Sequence, residues 1–150
     1  MCNIKKYTVR LVKEEGRRYD FNRKITSPEK ASQIFNEVLE MDSRTQETFA
    51  MCTVDIKNNI TGIFEITTGG LNSSIAHPRD VFQRAILQNA PSIILCHNHP
   101  SGNPIPSKND INITQKIIKG GEILGIQILD HIIIGDNCFV SMKEEGAAFE

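Results

Sequence analysis

The chain has 150 residues, of which 39% are hydrophobic and 23% charged, and its formal net charge is -1. This length is most simply one domain, and it suffices to bury a hydrophobic core without disulfides or metals as cross-links. The small net charge excludes a general electrostatic attraction to nucleic acid or to an anionic membrane.

The first 24 residues differ in charge from the rest of the chain. They hold eight Lys or Arg against three Asp or Glu, a balance of +5. The alternation in "YTVRLV" and "RRYDF" predicts a basic β-hairpin over residues 5–24 that turns near Glu14-Glu15-Gly16. This hairpin could touch an acidic partner, but the alternation favours a solvated edge. Its open edge strands also make a homodimer one alternative.

The cysteines and the absence of predicted targeting segments indicate the cellular compartment of the protein. No two of the four cysteines form a C-x-x-C pair, and three lie in apolar runs typical of strands: Cys52, Cys96 and Cys138, with Cys2 the fourth. This pattern favours reduced thiols in a core. There is no apolar run of the roughly 18 residues that a membrane helix needs, and the start "MCNIKKYTVR" has no signal segment. We therefore expect a cytoplasmic protein without a membrane partner.

The middle of the chain alternates helices with strand pairs. Ser27-Pro28 predicts a helix start, with a buried face formed by Ala31, Ile34, Phe35, Val38 and Leu39. After a polar break at Asp42-Ser43-Arg44, residues 49–56 and 60–67 predict two strands joined by a turn. Gly69-Gly70 then predicts a loop. Pro78 begins a second helix, whose inward residues are predicted as Val81, Phe82, Ala85 and Ile86.

A continuous apolar run at residues 93–96 predicts a central strand that is covered on both faces. Ser107 can cap a third helix, with Gly120-Gly121 as its end and a buried stripe of Ile111, Thr114, Ile117 and Ile118. Residues 126–134 and 138–141 predict two more strands around a turn. Together, these helices and strands predict an α/β fold in which a mixed sheet is sandwiched by helices, in a single domain of residues 1–150.

The stretch "HNHPSGNPIPSKND", residues 97–110, carries the chemistry. Side chains two residues apart on a strand share a face, so His97 and His99 project together. Asp110, in the first turn of the next helix, can supply a third ligand. Two histidines and a carboxylate leave one position open, which is typical of a catalytic zinc site. We therefore predict one zinc ion per chain.

A zinc ion in such a site lowers the pKa of a bound water molecule to about 7. A hydrolase also needs a carboxylate to move the proton, which must come from elsewhere in the chain, and a donor beside the developing oxyanion. Ser107 could be that donor. Ser107-x-x-Asp110 is also a variant of the helix capping box, and capping is compatible with metal ligation, since Asp110 could do both.

The letters HNH also invite a nuclease interpretation. In that nuclease motif the key residues are spread over a hairpin and a helix, whereas here they are consecutive and Asn98 faces away from both histidines. The chain also lacks a predicted basic groove. We therefore exclude this interpretation.

The spacing H-x-H-P, seven residues, S-x-x-D resembles the JAMM motif of the MPN+ metalloproteases. With "HPRDVFQRAI" and "ILDHIIIG", the chain from about residue 27 to 146 is similar to the RadC family, the bacterial branch with a JAMM-type domain. The resemblance implies an MPN/JAB-type fold with cytidine-deaminase-like α-β-α layers. It also implies a zinc metallopeptidase or isopeptidase acting on an unidentified peptide or protein, with zinc held by His97, His99 and Asp110.

The resemblance further implies a glutamate, before the first core strand, that acts as general acid and base. Glu47 matches that position best, and Glu65, in the middle of the returning strand, is its competitor. In the implied cycle Glu47 takes a proton from water and gives it to the leaving amine, while Ser107 steadies the oxyanion.

Four further residues, His77, Asp130, His131 and Cys96, lie near the motif or resemble site residues. His77 either lies near the site or caps the second helix. Asp130-His131 is expected behind the ligands or in a structural role rather than on the metal. Cys96 faces opposite to His97 and is expected in the core.

Two other functions compete with the hydrolase. One is a non-catalytic MPN scaffold. The other is a DNA-repair or mobile-DNA accessory factor, which would bind nucleic acid through the basic residues Lys5, Lys6, Arg10, Arg17 and Arg18. Longer RadC proteins carry a helical region suggestive of DNA contact, and the present sequence has its basic segment instead, so the family resemblance alone does not predict DNA binding.

Overall fold

The sheet has five strands in the order β2-β1-β3-β4-β5, so β3 lies in its middle. The computed structural model describes residues 1–69 and 76–150, and of the loop predicted at Gly69-Gly70 the second residue lies outside them. The elements are α1 (Pro28–Leu39), a 3-10 turn (Met41–Ser43), β1 (Glu47–Val54), β2 (Ile60–Gly69), α2 (Pro78–Leu87), β3 (Ser92–Asn98), α3 (Lys108–Leu124), β4 (Gln127–Ile134) and β5 (Phe139–Ser141).

Strand directions make the sheet mixed, as the sequence predicts. β3 and β4 run parallel and are joined through α3, while the other neighbouring pairs are antiparallel. In this register His97 lies between Phe49 of β1 and Ile133 of β4. The carboxyl end of β3 therefore meets the amino end of β1 and the start of α3 at one edge of the sheet.

The two faces of β3 serve two separate hydrophobic cores, because successive strand residues point to opposite sides. Ile93 and Leu95 pack toward α2 and α3, with Val81 and Ile117 in the same cluster. Residues of the opposite face pack toward α1, among them Ile94, Cys96, Ala31 and Phe35. The helices thus cover the sheet on both faces, which confirms the α-β-α layers.

The helix starts follow the local signals in the sequence. The Ser27 hydroxyl accepts a hydrogen bond from the Lys30 amide at 3.2 Å, and Pro28 is the first helical residue. Ser107 and Asp110 form a complete capping box at the start of α3.

None of the helices within the described ranges is long and apolar enough to cross a membrane.

The predicted hairpin of residues 5–24 is wrong. Residues 1–23 carry no strand, and an antiparallel bridge between Lys24 and Asn59 follows them. Tyr7, Val9 and Val12 are exposed. A two-stranded ribbon with no covered face is marginal in water, so alternation alone does not produce strands here.

The predicted end of α3 at Gly120-Gly121 is also wrong. The helix continues to Leu124 and ends at Gly125, whose φ of 71° is left-handed. A Cβ on Gly120 would come within 2.7 Å of a Phe82 ring carbon, and one on Gly121 within 2.3 Å of the Ile126 carbonyl oxygen. The two glycines therefore allow close packing of α3 rather than stopping it.

Two smaller expectations also fail. Ile86 is exposed, because at 100° per residue it lies about 90° from the centre of the face formed by Val81, Phe82 and Ala85. Cys138 is exposed just before β5 instead of lying in a strand. In both cases the apolar pattern extends beyond the surface that the neighbouring elements cover.

Candidate metal centre

Four side chains meet at the carboxyl end of β3: Glu47, His97, His99 and Asp110. Each offers one ligand atom, and these atoms all lie within 4.8 Å of one another. Nε2 of His97 is 2.9 Å from Nε2 of His99 and 3.1 Å from Oδ1 of Asp110. Nε2 of His99 is 3.1 Å from Oδ2 of Asp110. All four residues were singled out from the sequence, and the fold brings them together.

The loop after β3 is held by the β4–β5 turn. The His99 amide donates to the Ile134 carbonyl at 2.8 Å, and the Asp136 amide donates to the Gly102 carbonyl at 2.9 Å. A Cβ on Gly135 would come within 2.4 Å of that Gly102 oxygen, so only glycine permits this approach. The close packing fixes where His99 leaves the sheet.

Asp110 completes the capping box of α3 and also contacts both histidines of the cluster. Its Oδ2 accepts from the Ser107 amide at 2.8 Å, and its own amide donates to the Ser107 hydroxyl oxygen at 3.1 Å. Burial would raise the pKa of this carboxyl, but hydrogen bonds from His97 and His99, with that of the Ser107 amide, hold the pKa well below its usual range. Asp110 is therefore a carboxylate that faces both histidines.

The tautomer of His99 is determined by its outer contact. Its Nδ1 lies 2.8 Å from the Asn103 carbonyl oxygen, which can only accept. Nδ1 therefore carries a hydrogen, and Nε2 is the atom that binds either a second proton or a cation. The hydrogen bond to Asp110 raises the pKa of His99, with a further contribution from the Asn103 carbonyl.

The donor set fits a small divalent metal. In a tetrahedral zinc site with bonds of about 2.0–2.1 Å, neighbouring ligand atoms lie roughly 3.3 Å apart. The Nε2 atoms of His97 and His99 are 2.9 Å apart, close to that value, and each lies 3.1 Å from a different oxygen of the Asp110 carboxylate. Two imidazole nitrogens and one carboxylate oxygen are also the ligand types that zinc prefers. These residues could hold a metal ion.

Glu47 stands beside this triad rather than within it. It is the first residue of β1, its side chain is 38% exposed, and its Oε1 is 3.9 Å from His97 Nε2. The competing Glu65 binds the Arg44 guanidinium and is not part of the cluster. Of the two glutamates, Glu47 is the one whose carboxylate reaches the metal centre.

Asn98 is a residue that sequence reasoning missed as part of the site. It is buried, its Oδ1 accepts from the Thr48 amide at 2.7 Å, and its Nδ2 donates to the Gln46 carbonyl at 3.1 Å. These two bonds bracket Glu47 and tie the start of β1 to the end of β3. The sequence does hold a signal for this role. Asn98 is a polar residue in a strand that is predicted to be covered on both faces, and such a side chain needs buried hydrogen-bond partners.

The Asp130-His131 pair lies behind the candidate ligands, as expected. His131 is fully buried, with Nε2 2.7 Å from His97 Nδ1, and burial holds its pKa well below the usual range. Asp130 accepts from the His131 amide, the Ser141 hydroxyl and the Lys143 amide, and burial raises its pKa. Asp130 thus joins β4 to β5 and to the turn that follows.

The other residues whose roles the sequence left open make structural contacts. His77 caps α2, because its Nδ1 accepts from the Arg79 amide at 3.2 Å, and it is not among the four clustered residues. Cys96 is buried in the core on the α1 side, as predicted. Burial raises the pKa of Cys52 to about 12 and also raises that of Cys96, so both thiols are neutral core groups.

Comparison with known families agrees with this geometry. The profile of the RadC-like JAB domain matches residues 25–147. The chain belongs to the RadC-like JAB domain family. The match confirms the expected family and fold. It contains all four residues of the candidate metal centre, whereas the basic residues 1–24 precede it.

Relatives of this RadC-like JAB domain are longer proteins. A UPF0758 protein of Clostridium beijerinckii is 50% identical over 123 residues, which cover 82% of this chain and 53% of that protein. A UPF0758 protein of Desulfitobacterium hafniense is 48% identical over 122 residues, covering 81% and 53%. The chain therefore spans about half the length of the curated relatives it matches.

Proposed function

We propose that this chain is a zinc-dependent metallohydrolase of the JAMM type that cleaves a peptide or isopeptide bond. One observation carries the proposal: the Nε2 atoms of His97 and His99 converge with the Asp110 carboxylate, within 3.1 Å, in a RadC-like JAB domain. Converging acceptor atoms repel one another unless a proton or cation lies between them. His97, His99 and Asp110 would hold the zinc ion.

When bound, zinc would supply a water of lowered pKa and polarise the scissile carbonyl. Glu47 would take a proton from the attacking water and later give it to the leaving amine nitrogen. Its partial exposure and its 3.9 Å distance from His97 Nε2 suit a carboxylate that stands beside the metal and meets substrate.

Ser107 would donate a hydrogen bond to the developing oxyanion. Its hydroxyl oxygen already accepts from the Asp110 amide, which leaves the hydroxyl proton available. Removing such a donor costs about 100- to 1,000-fold in kcat in other hydrolases. The same bond holds the serine in place at the start of α3.

Metal content is the first test. The chain is purified without added metal and without a histidine tag, and its metals are counted by mass spectrometry beside a His99→Ala variant. We expect about one zinc per chain, lost in the variant. A wild-type chain that neither contains zinc nor takes it up would end the hydrolase proposal and favour a non-catalytic scaffold.

Turnover is the second test. Zinc-loaded wild type and Glu47→Gln are incubated with a peptide library and with isopeptide-linked peptides, and the products are compared by mass spectrometry. Glu47→Gln should keep its zinc and lose cleavage, whereas Glu65→Gln, the matched control, should cleave as wild type does. Equal cleavage by wild type and Glu47→Gln would show that Glu47 is not the base.

A further inference from the structure

A line of buried hydrogen bonds runs behind the metal centre. His97 Nδ1 lies 2.7 Å from His131 Nε2, and His131 Nδ1 lies 2.6 Å from the Thr114 hydroxyl. That hydroxyl lies 2.6 Å from the backbone carbonyl of Asp110. The side chains of His97, Thr114 and His131 are fully buried, so each contact must pair one donor with one acceptor.

The chemistry of the atoms determines which group donates and which accepts in each of these hydrogen bonds. The Asp110 carbonyl can only accept, so Thr114 must donate its single hydroxyl proton to it. The Thr114 oxygen then accepts from His131 Nδ1–H. The 2.7 Å contact between His131 Nε2 and His97 Nδ1 holds one hydrogen. The Nε2 atom of His97 lies beside Nε2 of His99 and Oδ1 of Asp110, and it can bind a metal there only when that hydrogen is on Nδ1 of His97. His97 must therefore donate through Nδ1–H.

We propose that His131 is a positioning residue that holds His97 in the Nδ1–H tautomer, with Thr114 setting the orientation of the line. The Nε2 lone pair of His97 then faces His99 and Asp110, where a metal would bind. This inference rests on the proposed function, because it concerns the nitrogen that would hold zinc. The line begins at the ring of one ligand and ends on the backbone of another, so it also aligns β3 with α3.

The size of the effect follows from other metal sites. Loss of a residue that orients a ligating histidine costs about 10- to 100-fold in metal affinity. His97 and His99 keep their own nitrogens in such variants, so a loss of zinc affinity reports how His131 and Thr114 hold His97.

The tautomer itself can be measured without a substrate. Nitrogen NMR of the full chain, labelled at histidine and studied with and without zinc, should show His131 protonated at Nδ1 and bare at Nε2. A scalar coupling across the N–H···N bond should join it to His97 Nδ1. A His131 ring protonated at Nε2 would overturn the proposal.

Two matched pairs of variants test the consequence for zinc affinity, measured by competition with a chelator. In His131→Gln the side-chain oxygen can reach the position of Nε2, whereas in His131→Asn the amide reaches only that of Nδ1. We expect His131→Asn to bind zinc about 10- to 100-fold more weakly and His131→Gln to stay within about threefold of wild type. Thr114→Val should weaken binding, and Thr114→Ser should not.

The outcomes separate this inference from the proposed function. A wild-type chain that binds no zinc defeats the hydrolase proposal, and the nitrogen spectra of that chain still decide the tautomer of His131. Zinc binding of equal strength in wild type and all four variants overturns the role of His131. If the variants do not fold, which circular dichroism reports, the wild-type spectra decide alone.

Discussion

The carboxyl end of β3 and the N-terminal segment, residues 1–22, are opposite extremes of this chain. At the end of β3 the polar side chains of His97 and Asn98 are buried and bonded on both faces of the sheet. In the N-terminal segment, apolar side chains such as Tyr7 and Val12 are exposed and no strand forms. Strand structure depends on a neighbouring strand and a covered face, and polar groups become precisely placed only where those exist.

Thiol reactivity should give the largest contrast between the two regions. Cys2 of the N-terminal segment is exposed, whereas Cys52 of β1 and Cys96 of β3 are buried. Alkylation of the buried pair requires local opening, so we expect it to be more than about 1,000-fold slower. Burial raises the pKa of Cys52 to about 12, so the thiol stays neutral as pH rises from about 8 to 10. Mass spectrometry of labelled peptides measures both rates, with the exposed Cys138 as control.

The next largest effect is expected at a proposed ligand. Asp110→Asn removes the charge and turns an acceptor into a donor that faces the histidines, so zinc affinity should fall by more than about 100-fold. Asp20→Asn makes the same change in the N-terminal segment and should leave zinc affinity unchanged. Chelator competition measures both, and equal affinities would show that Asp110 holds no metal.

Asn98→Ala tests the bond network on the other face of β3. It leaves the buried Thr48 amide without a partner, so the free energy of unfolding should fall by about 2–3 kcal/mol. Asn3→Ala, in the N-terminal segment, should change it by less than about 0.5 kcal/mol. Urea denaturation measures both variants. A loss below about 1 kcal/mol for Asn98→Ala would mean that the start of β1 is held by other contacts.

Gly121→Ala tests the close packing of α3. A Cβ there would meet the Ile126 carbonyl oxygen at 2.3 Å, and we expect a loss of about 1–3 kcal/mol in the free energy of unfolding. Gly16→Ala in the N-terminal segment meets only the end of the Lys13 side chain and should be near neutral. Thermal denaturation measures both variants. An unchanged free energy of unfolding in Gly121→Ala would show that α3 and β4 can move apart without a loss of stability.

The smallest effect is expected from removing the N-terminal segment altogether. A chain that starts at Arg23 keeps the backbone bonds to Asn58 and Ile60 that join this part to the sheet. Its free energy of unfolding should change by less than about 0.5 kcal/mol, and its zinc affinity should not change. A larger loss in urea denaturation would show that the segment contributes to the fold despite its exposure.

Much of the architecture was predictable because its signals are local. Ser27-Pro28 and Ser107 begin helices through bonds to amides three residues away, and the apolar run before His97 is a strand covered on both faces. The errors occurred where a pattern depended on surroundings. Gly120-Gly121 has the composition of a helix end, but Phe82 and Ile126, distant in sequence or beyond the helix, determine that it is a packing surface.

The candidate ligands were predictable for the same reason. His97 and His99 share a side of the chain because they are two residues apart, and Asp110 faces them because a capping box orients its carboxylate at the start of α3. The partners of those ligands depend instead on contacts across the fold. Asn98 bonds a residue 50 positions earlier and His97 one 34 positions later. Such pairs form only when β1, β3 and β4 lie side by side, because burial then leaves each polar atom no partner but its neighbour across the sheet.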